Sequence, residues 1–305
     1  MSDGWSDRAV GSVLGLALGD ALGAPFEFRR AHEIPSPLPA FEHPWLGLPA
    51  GTTTDDTAMA RALLVSLTEH DGLDQDDVLD RLVAWLATDP PDVGSLTRSV
   101  LARVRDGERA AARAVFQERG PEVSAGNGSV MYCAPLGVAY AYRPDVLHEL
   151  APALSALTHW DDRCRTAVTA ITLAIASLVR GDRTVDAIQG ALVAVEDQAG
   201  AEELEFLVEA IGETRAIDGP DMGFCLFTSG VALQSALREE DFETATRRVV
   251  SLGGDADTNA AVAGALVGTQ VGRSGLPASW LRRLQDRAAI EREAEALLPL
   301  TGRER

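Results

Sequence analysis

The stretch 253–272, GGDADTNAAVAGALVGTQVG, can sit almost nowhere but in the middle of a fold. Past Asn259 it offers Ala, Val, Leu and Gly with one Thr and one Gln, so a helix built from it has no charged face and is buried on nearly all sides. Yet Asp255, Asp257 and Thr258 stand at its mouth. A single acid or hydroxyl there would cap the helix, a contribution of about 1 kcal/mol. Two acids and a hydroxyl ahead of an unsolvated segment ask for more, because buried carboxylates need a paired charge or a cation. On this segment alone, capping and a cation site both fit.

A second acidic mouth has the same content. Thr54, Asp55 and Asp56 precede the apolar run TAMARALLVSL. If the two mouths face one another, four carboxylates and two hydroxyls converge, and like charges that close cannot all stay ionised without cations between them. Oxygen-only donors of this kind select hard ions such as Mg²⁺, Mn²⁺ or Ca²⁺. Six of them suffice for a two-metal site with open positions.

The rest of the pattern is helical almost throughout. Ala- and Leu-rich helices are expected over 7–23, 57–71, 75–87, 96–116, 145–156, 161–180, 184–199, 201–215, 225–237, 241–252, 258–272 and 277–297. Asp161 and Asp162 read as caps of the helix that follows them. Runs 34–50, 88–95, 118–128 and 216–223 read as loops, and no alternating β-branched run bounded by hairpin turns appears. The expected architecture is all-α, one compact multi-helix domain over 1–305 with its central helices fully covered.

Composition bears on partners. A net charge of −19 argues against a general nucleic-acid or anionic-membrane binder. All the basic residues are arginine. Cys133, Cys164 and Cys225 are widely spaced, without a CxxC, and read as small core residues in a reducing compartment. No secretory leader pattern is visible, and no stretch is read as reaching the length and apolarity of a membrane span, GSVLGLALGDALGAPF being interrupted by Asp20 and ended at Pro25. A cytoplasmic protein is expected.

Six segments then bring in a resemblance. GLALGDALGAPFEF (15–28), TDDTAMA (54–60), DVGSLTR (92–98), GNGSVMYCAPLG (126–137), TH (158–159) and GGDADTNAAVAGALVG (253–268) occur in the order found in the ADP-ribosylglycohydrolase family. That family includes dinitrogen-reductase-activating glycohydrolases and hydrolases of ADP-ribosyl-arginine and ADP-ribosyl-serine. The resemblance runs from about residue 8 to residue 272. It implies an all-α protein with two Mg²⁺ or Mn²⁺ ions that cleaves the bond joining ADP-ribose to an acceptor, on an ADP-ribosylated protein or another ADP-ribose conjugate.

Carried over by position, the resemblance makes Thr54, Asp55, Asp56, Asp255, Asp257 and Thr258 the metal ligands, the same set that the two acidic mouths picked out. It makes Glu27 and Asp92 the catalytic carboxylates. Without it Glu27 is a loop acid and Asp92 an N-cap for the helix starting near Ser95. It places Asn127, Gly128 and Ser129 in the ADP-ribose pocket, where exposed backbone N–H groups of a Gly- and Ser-rich turn cradle phosphates, and makes His159 a ribose or phosphate contact. Asp20 is read as a structural acid. The family often has an Arg where Tyr132 stands, so Tyr132 either stacks on adenine or packs in the core. The competing readings are a non-catalytic ADP-ribose binder and a metal phosphohydrolase. The second lacks the His-Asp context such enzymes use, since His70 and His148 stand apart from it.

Overall fold

The computed structural model describes residues 4–196, 201–212 and 216–302, and among them the chain is built from helices: α1 (Trp5–Gly23), α2 (Asp55–Glu69), α3 (Gln75–Leu86), α4 (Ser95–Arg105), α5 (Ala111–Arg119), α6 (Ala134–Ala139), α7 (Pro144–Ser155), α8 (Asp162–Arg180), α9 (Thr184–Glu196), α10 (Ala201–Ile211), α11 (Cys225–Leu237), α12 (Phe242–Ser251), α13 (Ala256–Gly275), α14 (Ala278–Leu281) and α15 (Arg287–Ala296). The expected all-α class is what the structure shows. One departure is a pair of two-residue strands, β1 (Arg29–Arg30) antiparallel to β2 (Gly253–Gly254).

At the centre α1 and α13 run antiparallel, because α1 presents glycine every fourth residue to the small residues of α13. A methyl group on Gly15 would lie 2.2 Å from the Gly264 carbonyl oxygen, and one on Gly19 would lie 1.9 Å from that of Ala260. Backbone meets backbone here, with no side chain between. At the far end a methyl on Gly23 would fall 2.4 Å from Cα of Asp257, so the C-terminus of α1 is pressed onto the acidic N-terminus of α13. The chain leaving α1 is then held by the strand pair. Phe28 donates to the Gly254 carbonyl at 2.7 Å, and Gly253 and Gly254 turn through φ of 73° and 71°, a left-handed path that side chains disfavour. Glu27 is thereby fixed beside the mouth of α13.

Other helices wrap this pair. α13 also packs on α11, α12 and α8, and α8 packs on α6, α7 and α9. From Thr166 to Val179 α8 is buried throughout. Several ends follow from side-chain caps: Thr54 receives the Asp56 N–H, Asp74 that of Asp77, Asp161 that of Arg163 and Asp241 that of Thr244.

Four sequence expectations need correction. The helix expected over 96–116 is two helices, since the chain turns at Asp106 and Gly107 before α5. The helix over 277–297 breaks after α14, where Gln285 gives its N–H to the Gly51 carbonyl at 2.9 Å instead of continuing the helix. Helix α6 was not expected; it is short and wholly buried, with Pro135 in its first turn. Finally, Trp5–Phe26 is long and apolar enough by length and composition to cross a membrane, yet from Ala9 to Ala24 it is buried throughout within the fold. It is the central helix of the protein. The ends of the helices expected over 184–199 and 201–215 lie outside the described residues.

Candidate active site

Both helices begin two residues earlier than periodicity suggests, and this places the acids in the first turns. Asp55 and Asp56 open α2, and Asp257 and Thr258 lie in the first turn of α13, with Asp255 at its N-cap. The mouths face each other. Oδ2 of Asp56 receives the Thr54 hydroxyl at 3.1 Å and the Thr258 hydroxyl at 3.3 Å. Asp255 occupies the cap position without capping: no side-chain cap bond forms there, and its Oδ2 instead accepts from Nδ2 of Asn127 at 2.9 Å. Asp257 accepts from the Thr258 N–H at 2.9 Å.

Two further acids join from loops. Carboxylate oxygens of Glu27, Asp92 and Asp257 lie within 4.8 Å of one another, a grouping that could hold a metal ion. Asp92 lies near enough to Asp55 to push its carboxyl up, with the Gly94 N–H acting in the opposite sense, so the loop before α4 is brought to the head of α2. Asp92 is therefore no helix cap; Gly94 holds that position.

So many carboxylates in one buried place cannot ionise together. Burial first, then the charges of Asp92, Asp255, Asp55 and Asp20, push Glu27 up to about 9. Asp55, Asp56 and Asp257 are driven well above the usual carboxylate range by burial and by their acidic neighbours. Asp92 is raised by burial and by Asp255, with Arg98 acting in the opposite sense. Protein groups leave one atom unmet: Oδ1 of Asp56 is buried with no hydrogen-bond partner. An all-oxygen donor set with an orphaned carboxylate oxygen fits a hard divalent cation.

The acids line a cleft of about 210 Å³, with Glu27, Asp55, Asp92, Asp255, Asp257 and Thr258 on one side and Asn127, Gly128 and His159 on another. Phe28 and Val123 stand at its rim, each 64% exposed. His159 is buried, its Nδ1 2.9 Å from the Thr158 hydroxyl. Burial drops it to about 4, so the imidazole is neutral at pH 7. Gly128 faces its other edge: a methyl there would lie 2.7 Å from Cε1 of His159.

Against this geometry stand the comparisons with known proteins. A sequence profile described as ADP-ribosylglycohydrolase matches residues 1–305. The chain belongs to the ADP-ribosylglycohydrolase family. It is 31% identical to an ADP-ribosyl-[dinitrogen reductase] glycohydrolase of Rhodospirillum rubrum, with 97% of each chain covered. It is 30% identical to an ADP-ribosylhydrolase of Bos taurus, covering 90% of this chain and 87% of that one. A solved structure titled ADP-ribosylglycohydrolase-related protein complex superposes with a TM-score of 0.81 at 34% identity, covering 97% of this chain and 99% of the other.

As a glycohydrolase-family site, the cleft gathers most of the residues singled out from sequence. Thr54 and Asp56 lie beneath its floor, buried and hydrogen-bonded to each other. Ser129 does not line it: the residue is fully buried and its hydroxyl is 2.9 Å from that of Ser155 on α7. Tyr132 is also fully buried, its hydroxyl 3.5 Å from that of Thr158, so it is a core residue and not a stacking platform. Asp161 is the cap it was read to be.

Asp20 does more than fill space. Buried in α1, it accepts the backbone N–H groups of Thr54 and Thr57 and the Thr57 hydroxyl, which fixes the head of α2. Burial raises it to about 6 against those bonds. Two residues went unread in the sequence. Thr228 of α11 receives Nδ2 of Asn127 at 3.0 Å and donates to Oδ1 of Asn259 at 2.8 Å, so a polar chain links the Asn-Gly turn to α13. Thr228 belongs to no motif whose spacing announces it, and Asn259, although inside GGDADTNAAVAGALVG, follows the acids without a charge of its own to mark it.

Proposed function

We propose that this protein hydrolyses the glycosidic bond between ADP-ribose and its acceptor, an arginine-linked protein being the first candidate, and releases ADP-ribose in the cytoplasm. The observation that carries the reading is the meeting of the two acidic helix mouths over the orphaned Asp56 oxygen, inside a chain of this family. Relatives support the class of acceptor: one is named an ADP-ribosylarginine hydrolase, from Pseudomonas putida, 25% identical over 95% of this chain and 78% of that one.

In this reading Thr54, Asp55, Asp56, Asp255, Asp257 and Thr258 hold two Mg²⁺ or Mn²⁺ ions. When bound, the ions supply Lewis acidity and a local positive field for an anionic substrate in a protein of charge −19. Everything else is work for the chain. Bond breaking at the ribose anomeric carbon passes through an oxocarbenium-like state, and a carboxylate must move the proton between water and leaving group. Glu27 is the first candidate for that proton and Asp92 the second, since both reach into the cleft from loops with oxygens near Asp257. Asn127 holds Asp255 in register through its amide, and the backbone around Gly128 together with neutral His159 forms the wall against which the ADP-ribose rests.

The test is release of free ADP-ribose from an arginine-ADP-ribosylated protein and from a serine-ADP-ribosylated peptide, each with Mg²⁺, Mn²⁺ or EDTA. Metal-dependent release from the arginine conjugate is expected. Turnover that persists in excess chelator would refute the metal assignment. Release from the serine conjugate alone would move the acceptor to serine. Tight binding of ADP-ribose without turnover of either conjugate would replace catalysis by a binding role.

A further inference from the structure

A second cleft, of about 400 Å³, opens beyond the wall of the first, between α5, the end of α7 and the start of α8. The residues facing it include Arg109, Arg113 and Arg165 around Trp160, with Gln75 and Leu157, and no acidic residue is among its described lining. In a chain with 46 acidic and 27 basic residues this is the reverse of the average surface.

The arginines are only partly neutralised by the chain's own acids. The guanidinium of Arg165 lies 4.2 Å from the indole centroid of Trp160, and that of Arg113 lies 5.5 Å from it. One aromatic ring thus presents two cations to the same space. Arg165 is three-quarters buried, its one ion pair among the described residues is to the exposed Asp162, and its Nε is buried without an acceptor. Among the described residues Arg113 meets no carboxylate at ion-pair distance. Arg109 is anchored by Asp80 at 2.6 Å, outside the cleft.

We propose that this cleft binds a phosphate monoester. A concave site of this size suits a small ligand rather than a flat macromolecular contact. The guanidinium fork matches phosphate oxygens two at a time, and three such side chains border this cleft. The site is distinct from the candidate active site, because His159 faces the first cleft and Trp160 the second. It stands whether or not the glycohydrolase reading holds.

Calorimetric titration of the full, metal-loaded chain with glycerol 3-phosphate tests this, alongside a phosphoserine peptide and, as a neutral control, glycerol. Saturable binding of the phosphate and not of glycerol is expected, weakened at least about tenfold by Arg113→Glu and by Arg109→Glu, since each removes a charged hydrogen-bond donor or its field. Arg113 is exposed and Arg113→Glu should keep the parent's melting temperature, whereas Arg109→Glu sets a carboxylate against Asp80 and should lower it slightly, so the Arg113 variant is the one that separates binding from folding. Asn127→Ala, in the first cleft, should leave the affinity unchanged. Binding by the peptide alone would keep the site and mark the phosphate as protein-borne. Absence of saturable binding by both phosphates would overturn the proposal, as would binding that survives both arginine variants or is lost in Asn127→Ala.

Discussion

The hydroxyl of Thr258 lies 3.3 Å from the carboxylate of Asp56, although 202 positions separate them in the chain. That contact joins the first turns of α2 and α13 and turns two separate acidic caps into one cluster. Neither helix needs so many acids for capping, and Asp255 forms no cap bond at all. The cluster is therefore a site held in place at a cost in charge repulsion.

That cost sets a pH dependence. Glu27, Asp55, Asp56 and Asp257 have folded values raised above their unfolded ones. Above the ordinary carboxylate range the unfolded chain has released these protons while the folded chain retains them, so stability of the metal-free protein falls as pH rises. For Glu27 the window runs from 4.5 to about 9. His159 acts oppositely, removing stability as pH falls from 6.5 to about 4. Melting temperature in EDTA should therefore decline from pH 6.5 to 8.5, and Mn²⁺ should raise it more at pH 8.5 than at pH 6. Asp257→Asn should flatten the decline and abolish the Mn²⁺ effect. A metal response equal at both pH values would contradict this account.

Glu27 and Asp92 can be separated by amide substitution. If Glu27 moves the proton, Glu27→Gln should lower kcat by about 10²- to 10⁴-fold while Mn²⁺ still raises the melting temperature. Asp92→Asn should cost less in kcat. The reverse order, read from steady-state rates on the arginine conjugate, would transfer the role to Asp92.

Gly128→Ala tests the wall. The added methyl meets His159 at 2.7 Å from Cε1, and the imidazole, buried but bordering the cleft, must shift toward it. A displacement of that scale costs up to about 100-fold in turnover efficiency. The expected pattern is a loss in kcat/KM with little change in melting temperature. A normal kcat/KM would mean that His159 does not touch substrate.

Gly15→Ala tests the centre. No rotamer can relieve a Cβ placed 2.2 Å from a carbonyl oxygen, so α1 and α13 must separate. Overpacking of this kind costs about 3 kcal/mol or more. Urea denaturation should show the loss, and ADP-ribose release should fall as well, because the same two helices carry both halves of the acid cluster.

Much of the site was readable because its chemistry is concentrated. Acids at the mouth of an uncharged helix are anomalous whatever surrounds them, and Asp255, Asp257, Asp55 and Asp56 carry that anomaly within two short segments, 54–56 and 255–258. The fold class followed from periodicity for the same local reason. What could not be read was tertiary in origin. Gln285 leaves its helix for the Gly51 carbonyl, a contact that no local pattern announces. Ser129 sits in the right motif but turns its hydroxyl to Ser155, and Thr228 supports Asn127 from a helix whose sequence is merely apolar. The four-residue spacing of Gly11, Gly15, Gly19 and Gly23 was in plain view; its meaning as a close-packing face needed the partner helix.

That glycine face has a consequence for how such a site can vary. Where side chains separate two helices, a Leu exchanged for a Val lets the distance between them drift by fractions of an ångström. Along the face of α1 from Gly11 to Gly23 there is no side chain to exchange. The span from the end of α1 to Asp257 is set by the thickness of the peptide backbone itself, a dimension that substitution cannot tune. Any change in which acceptor the cleft admits must then come from its loops, around Phe28, Val123 and the turn before α4, while the acid cluster keeps one geometry.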